Sequence, residues 1–242
     1  MANSSNEPLL EAILNLAHAH KEHERFYSSA PLETALRLQR HARTLQALGD
    51  RWTTATSPTR AALSPYEGAD DLNSEAAIAL DGVLFLEGEG RPAEITAMIA
   101  ELRSDADGFA GIGEWLEKAM HASWAMAAAL LDVDGLADVM GERHRIISND
   151  WLAAHMQTVT AQLLARAADM LDRVELTPAA LRADLAATRV APRRLHDAAE
   201  VISRAADLCC ESAELVHDNE RRWRVFRARV DDLVQELQAT TG

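Results

Sequence analysis

The stretch PRRLHDAAEVISRAADLCCESAELVHDNERRWRVFRARVDDLVQELQ, residues 192–238, decides the fold. Pro192 suits the first turn of a helix, where its missing N–H costs nothing, and neither Pro nor Gly follows until Gly242. Apolar or small residues recur at helical spacing: Leu195, Ala199, Ile202, Ala206, Cys209, Ala213, Val216, then Trp223, Phe226, Val230, Leu233 and Leu237. One helix of this length extends roughly 70 Å at 1.5 Å per residue. The other helices must pack along it to cover the stripe, which predicts an all-α fold, an elongated multi-helix bundle on a long C-terminal helix.

Composition agrees with this reading. The chain has 242 residues, 48% hydrophobic but 5% aromatic, with 11 glycines and no alternating β-branched run long enough for a sheet. We expect one helical domain over residues 1–242. The net charge of −14 repels nucleic acid and anionic membrane surfaces, so the expected partner is protein, either another chain or a second copy. The opening MANSSNEPLL lacks a basic region, and the apolar run Ala122–Leu131 is too short to span a bilayer. Cys209 and Cys210 are adjacent and cannot bridge each other without severe strain. Together these features predict a cytoplasmic protein. Arg outnumbers Lys 22 to 2, the usage expected of a GC-rich bacterial genome.

Upstream, periodicity predicts helices over 7–28, 32–52, 74–86, 92–103, 114–131, 149–174 and 178–188. The second buries Ala35, Leu38, Ala42, Leu45, Leu48 and Trp52; that at 149–174 buries Leu152, Met156, Val159, Leu163, Ala167, Met170 and Val174, with Ser148 as its cap. Residues 53–73, punctuated by Pro58, Pro65 and Gly68, read as a mobile loop, and Asp105 to Gly113 as a break. Asp132-Val-Asp134-Gly135 is a turn that lacks the ligands of a calcium loop.

Histidines near carboxylates are the main chemical signal. His20 and Glu24 share a face of the first helix, Glu117 and His121 are one turn apart, and Glu214-Leu-Val-His217 is a Glu-x-x-His pair. At these residues the chain resembles the ferritin-like di-iron proteins, in which inward carboxylates and imidazoles of a bundle hold two metal ions. The resemblance implies a di-iron or manganese site and an oxidase or oxygenase activity. It covers one Glu-x-x-His pair, where the family pattern has two with two further inward Glu.

Arg221, Arg222, Arg224, Arg227 and Arg229 interleave with Trp223 and Phe226, but Asp218, Glu220, Asp231, Asp232 and Glu236 balance them, as on a solvated helix face. No P-loop, dinucleotide fingerprint, nucleophile elbow or zinc-spaced Cys/His set is present. Whether the chain is an enzyme stays open. The leading expectation is a helical interaction or regulatory protein that self-associates through Trp223, Phe226, Val230, Leu233 and Leu237, since a helix longer than its bundle leaves part of its stripe uncovered.

Overall fold

The structure is a computed structural model; it describes residues 30–63, 93–130, 137–176 and 190–240. These form four long helices, α1 (Ala30–Leu63), α2 (Ala93–Leu130), α3 (Ala137–Asp172) and α4 (Val190–Thr240), and no strand occurs among the described residues. The protein is an all-α multi-helix bundle, as the sequence predicts. Among the described residues no helix is long and apolar enough to cross a membrane. The predicted helices at 7–28, 74–86 and 178–188, and the turn at 132–135, lie outside the described residues.

Buried positions follow a seven-residue repeat on every helix. On α1 they are Ala35, Leu38, Ala42, Leu45, Gly49 and Trp52, stepping alternately by three and four. On α2 the same steps give Ile95, Met98, Leu102, Asp105, Phe109, Ile112 and Leu116, of which Asp105 and Ile112 are half-buried. On α3 the repeat adds a third column of small side chains, Ala154, Ala161 and Ala168 beside Ala153, Thr160 and Ala167. α4 does likewise with Ala199 and Ala206 beside Ala198 and Ala205, all fully buried. Such narrow columns let helix backbones approach closely, while each buried Leu or Ile between them contributes about 1.5–3 kcal/mol.

Two compact units divide the chain. Unit 2 holds residues 35–108 and 160–207. Its core is Leu38, Leu45 and Trp52 of α1, Ile95, Met98 and Leu102 of α2, Leu164 and Leu171 of α3, and Leu195 and Ile202 of α4. At its surface Arg37 Nη2 donates to both carboxylate oxygens of Asp105, 2.6 Å to each, and His41 meets Glu101 at 3.0 Å. Gly49 lies against His196: a Cβ there would sit 2.6 Å from the His196 Nε2, which also pairs with Asp50 at 3.2 Å. Unit 1 holds residues 1–34, 109–159 and 208–242 and carries the candidate site.

Three sequence expectations need correction. The loop predicted over residues 53–73 does not start at Thr53, because α1 continues to Leu63; residues 64–73 lie outside the described residues. Pro58 lies in the interior of this helix, where a proline loses its donor and its ring crowds the carbonyl one turn back at a cost of about 3 kcal/mol, and the turn residues nevertheless do not end it. The break predicted between residues 103 and 114 does not occur: α2 is continuous, with Leu102, Ala106, Phe109 and Leu116 in one buried stripe. Ser148 is not a cap but lies inside α3, its hydroxyl donating to the His144 carbonyl at 2.9 Å.

Candidate functional site: the polar core of unit 1

Along α3, one heptad position reads Arg143, Asp150, Gln157, Leu164, Leu171. The matching position on α4 reads Ala191, Ala198, Ala205, Ser212, Asn219, Phe226. The unit 2 members of both series are apolar. In unit 1 every member of the two series except Phe226 is polar, still in phase, so hydrophilic groups enter a core: Arg143, Gln157, Ser212 and Asn219 are each at most 2% exposed.

The polar groups meet in pairs. Gln157 Nε2 donates to Ser212 Oγ at 2.6 Å. Seven residues back along α3 and seven on along α4, Asn219 Nδ2 donates to Asp150 Oδ1 at 2.7 Å and to the Ile146 carbonyl at 3.1 Å. Asn219 Oδ1 accepts from Asn149 Nδ2 at 3.0 Å, so both N–H groups and the oxygen of this carboxamide are used. Asn149 also donates to Asp218 at 3.3 Å, and the same oxygen accepts from Arg222 Nε at 2.7 Å. The network runs from solvent at Arg222 to the half-buried Asp150. Between the two polar levels, Leu116 of α2 packs on Ala153 and Ala154 of α3 with Ile112, Leu215 and Val216 around them.

Burial sets the electrostatics. Desolvation pushes the Asp150 carboxyl up to about 6, and the Asn219 hydrogen bond opposes this in part. Asp218 moves the opposite way: the hydrogen bond from Arg222 holds its carboxyl below the usual carboxylate range. Burial also lowers the Arg143 guanidinium from its ordinary value. A buried polar atom without a partner costs about 1–3 kcal/mol, so the arrangement tolerates little displacement. Gln157 Oε1 already lacks a hydrogen-bond partner among the described residues.

Of the residues singled out by sequence, those whose side chains are described lie outside this network, Phe226 occupying the next level of the same α4 column. His20 and Glu24 fall outside the described residues. Glu117 and His121 are exposed on α2; Glu214 and His217 are exposed on α4, where His217 Nδ1 lies 3.7 Å from Glu220. Glu214 and His217 line a groove of about 490 Å³ in unit 1 with Leu32, Ala213, Asp218 and Arg221. Among the described residues no three His, Cys, Asp or Glu come close enough to hold a metal ion. Phe226 is buried, at 5% exposure, while the side chains of Trp223, Val230, Leu233 and Leu237 are outside the described set.

The face expected to be buried over 149–174 holds at Ala167 and Val174, which are buried, and is displaced by one position over residues 152–163. Leu152 is 38% exposed, and Met156, Val159 and Leu163 are half-buried, whereas Ala153, Ala154, Gln157, Thr160 and Leu164 are buried. The larger apolar side chains outweigh the true core column in any hydrophobicity reading, because that column holds small and polar residues. The signal that identifies it is the seven-residue interval linking Arg143, Asp150 and Gln157 to Leu164 and Leu171. No family model, curated protein or solved structure matches this chain.

Proposed function

We propose that this chain acts through protein–protein contacts, as a helical interaction or regulatory protein that self-associates. The supporting observation is the inverted pattern of α3 in unit 1. Polar Asp150 and Gln157 and small Ala153 and Ala154 turn inward, while Trp151, 57% exposed, and Leu152 turn outward. Trp151 stacks on the His155 ring, centroids 6.1 Å apart with planes 9° from parallel, which makes a flat aromatic platform. Val225 of α4, 59% exposed, and Leu32 of α1, 51% exposed, are further outward apolar side chains of unit 1. Rigid exposed aromatics of this kind anchor interfaces, because they bury large area at small entropic cost.

Multi-angle light scattering across a concentration series tests the reading. The intact chain is expected above monomer mass, and Trp151→Ser with Leu152→Ser is expected to shift it toward monomer without loss of helical signal. A strict monomer at every concentration, unaffected by these substitutions, sinks the self-association reading.

A further inference from the structure

Many coiled-coil seams are degenerate: identical apolar layers let one helix slide past another by a heptad at small cost. The α3 and α4 columns of unit 2 are of this kind, with Leu164 and Leu171 on one helix and Ala198 and Ala205 on the other. Unit 1 replaces these layers with residues that recognise one another individually. Asn219 spends all its hydrogen-bonding groups on Ile146, Asn149 and Asp150, a set that one turn of α3 alone supplies. One heptad away Gln157 meets Ser212, a different pair of different size.

We infer that the polar layers Asn219–Asp150 and Gln157–Ser212 are a register key, which selects one antiparallel alignment of α3 and α4 and rejects alignments shifted by a heptad. In one shifted alignment Ser212 replaces Asn219 opposite Asp150, and Ala205 replaces Ser212 opposite Gln157. The carboxamide of Gln157 then loses its partner, and Asn219 moves to the level of Arg143. In the opposite shift Asp150 meets the level of Phe226, an aromatic ring that offers a carboxylate no donor. The first shift strands the buried Gln157 carboxamide opposite Ala205, and the second, although it sets Gln157 against Asn219, places Asp150 opposite Phe226 and the buried Ser212 opposite Leu164; these lost pairings are the physical basis of discrimination. The key acts against wrong alignments rather than adding stability, because well-packed apolar residues in its place hold a bundle at least as firmly.

Cysteine cross-linking in the full chain separates the alignments. Ala153 and Val216 belong to one packed cluster, so Ala153→Cys with Val216→Cys, in a Cys209→Ser and Cys210→Ser background, reports the observed alignment. Ala153→Cys with native Cys209, in a Cys210→Ser background, reports an alignment displaced by seven residues. Peptide mapping of the intramolecular cross-link is the readout. With the key intact, only the first pair is expected to close rapidly. After Asp150→Leu, Gln157→Leu, Ser212→Ala and Asn219→Leu together, the displaced pair is expected to close several-fold faster while helical content and melting temperature hold or rise. The milder pair Asp150→Leu with Asn219→Leu serves if the fourfold variant loses its fold. Cross-linking confined to the first pair in the apolar variants overturns the inference, as does rapid closure of the displaced pair in the chain with its key intact.

Discussion

Asn219 of α4 donates to the carboxylate of Asp150 on α3 at 2.7 Å, and this bond does not outweigh the cost of burying the charge, since the Asp150 carboxyl is still pushed up to about 6. An acid whose folded pKa exceeds its unfolded value near 3.8 binds more protons in the folded state between those two pH values, so stability falls as pH rises through that window. Above about pH 6 the penalty is complete. Asp150→Asn removes the charge and retains an acceptor for Asn219. It is expected to stabilise the protein by about 1–3 kcal/mol at pH 7.5 and by progressively less toward pH 4. Urea titrations of both proteins across that range check it; a gain that does not change with pH contradicts the assignment.

The two aspartates of the network should titrate on opposite sides of the ordinary value. Asp218, held low first of all by its hydrogen bond from Arg222, is expected to lose its proton below the usual carboxylate range, and Asp150 near 6. Carboxyl carbon shifts followed by NMR against pH resolve both. Arg222→Gln should move the Asp218 midpoint upward and leave that of Asp150 nearly in place.

Truncating the hub is expected to cost more than truncating any contact at its rim. Asn219→Ala leaves the Ile146 carbonyl, Asn149 and Asp150 each short of a partner in a site that is 1% exposed, and should destabilise by about 2–4 kcal/mol. Arg224→Ala breaks an exposed pair with Glu220 one turn away and should cost less than about 0.5 kcal/mol. Denaturant midpoints of the two variants give the comparison, and equal losses would show that the Asn219 contacts contribute no more than an exposed ion pair.

Glycines within α2 should respond to alanine with opposite signs. Gly108 and Gly111 face open space, so alanine is expected to stabilise by about 0.5–1 kcal/mol at each. At Gly113 a Cβ would lie 2.8 Å from Thr158 Oγ1 and 3.4 Å from the Ala154 carbonyl, so Gly113→Ala should destabilise by about 1–2 kcal/mol. Thr158→Ala added to Gly113→Ala should recover part of the loss. Thermal melts of the four variants suffice.

The long helix α4 and the apolar face of α1 were legible in sequence because large side chains mark them at helical spacing: Leu38, Leu45 and Trp52, or Leu195 and Ile202. Continuity across Gly108 to Gly113 was not legible, because local propensity argues for a break and only packing against α3 overrides it. The polar core was missed for a related reason. Asp150, Gln157, Ser212 and Asn219 are residues that hydrophobic periodicity assigns to solvent, and on α3 the adjacent Leu152, Met156 and Val159 supplied a more plausible stripe. The Glu and His pairs drew attention by residue type alone, which says nothing of convergence in space. Interval, rather than hydrophobicity, carried the information at the site.

The seven-residue spacing of buried positions also limits how this chain can change in length. A single inserted residue in α3 rotates everything beyond it by about 100°, which would turn Trp151 or Leu152 into the core and Asp150 toward solvent according to where it falls. Insertions or deletions of seven restore the facing but displace one half of a helix by two turns, so that Asn219 meets the wrong level. Tolerated length variation among future variants of this protein is therefore expected between the helices, or as matched heptads in paired helices, and a library of random single-codon insertions should leave α3 and α4 almost empty of folded survivors.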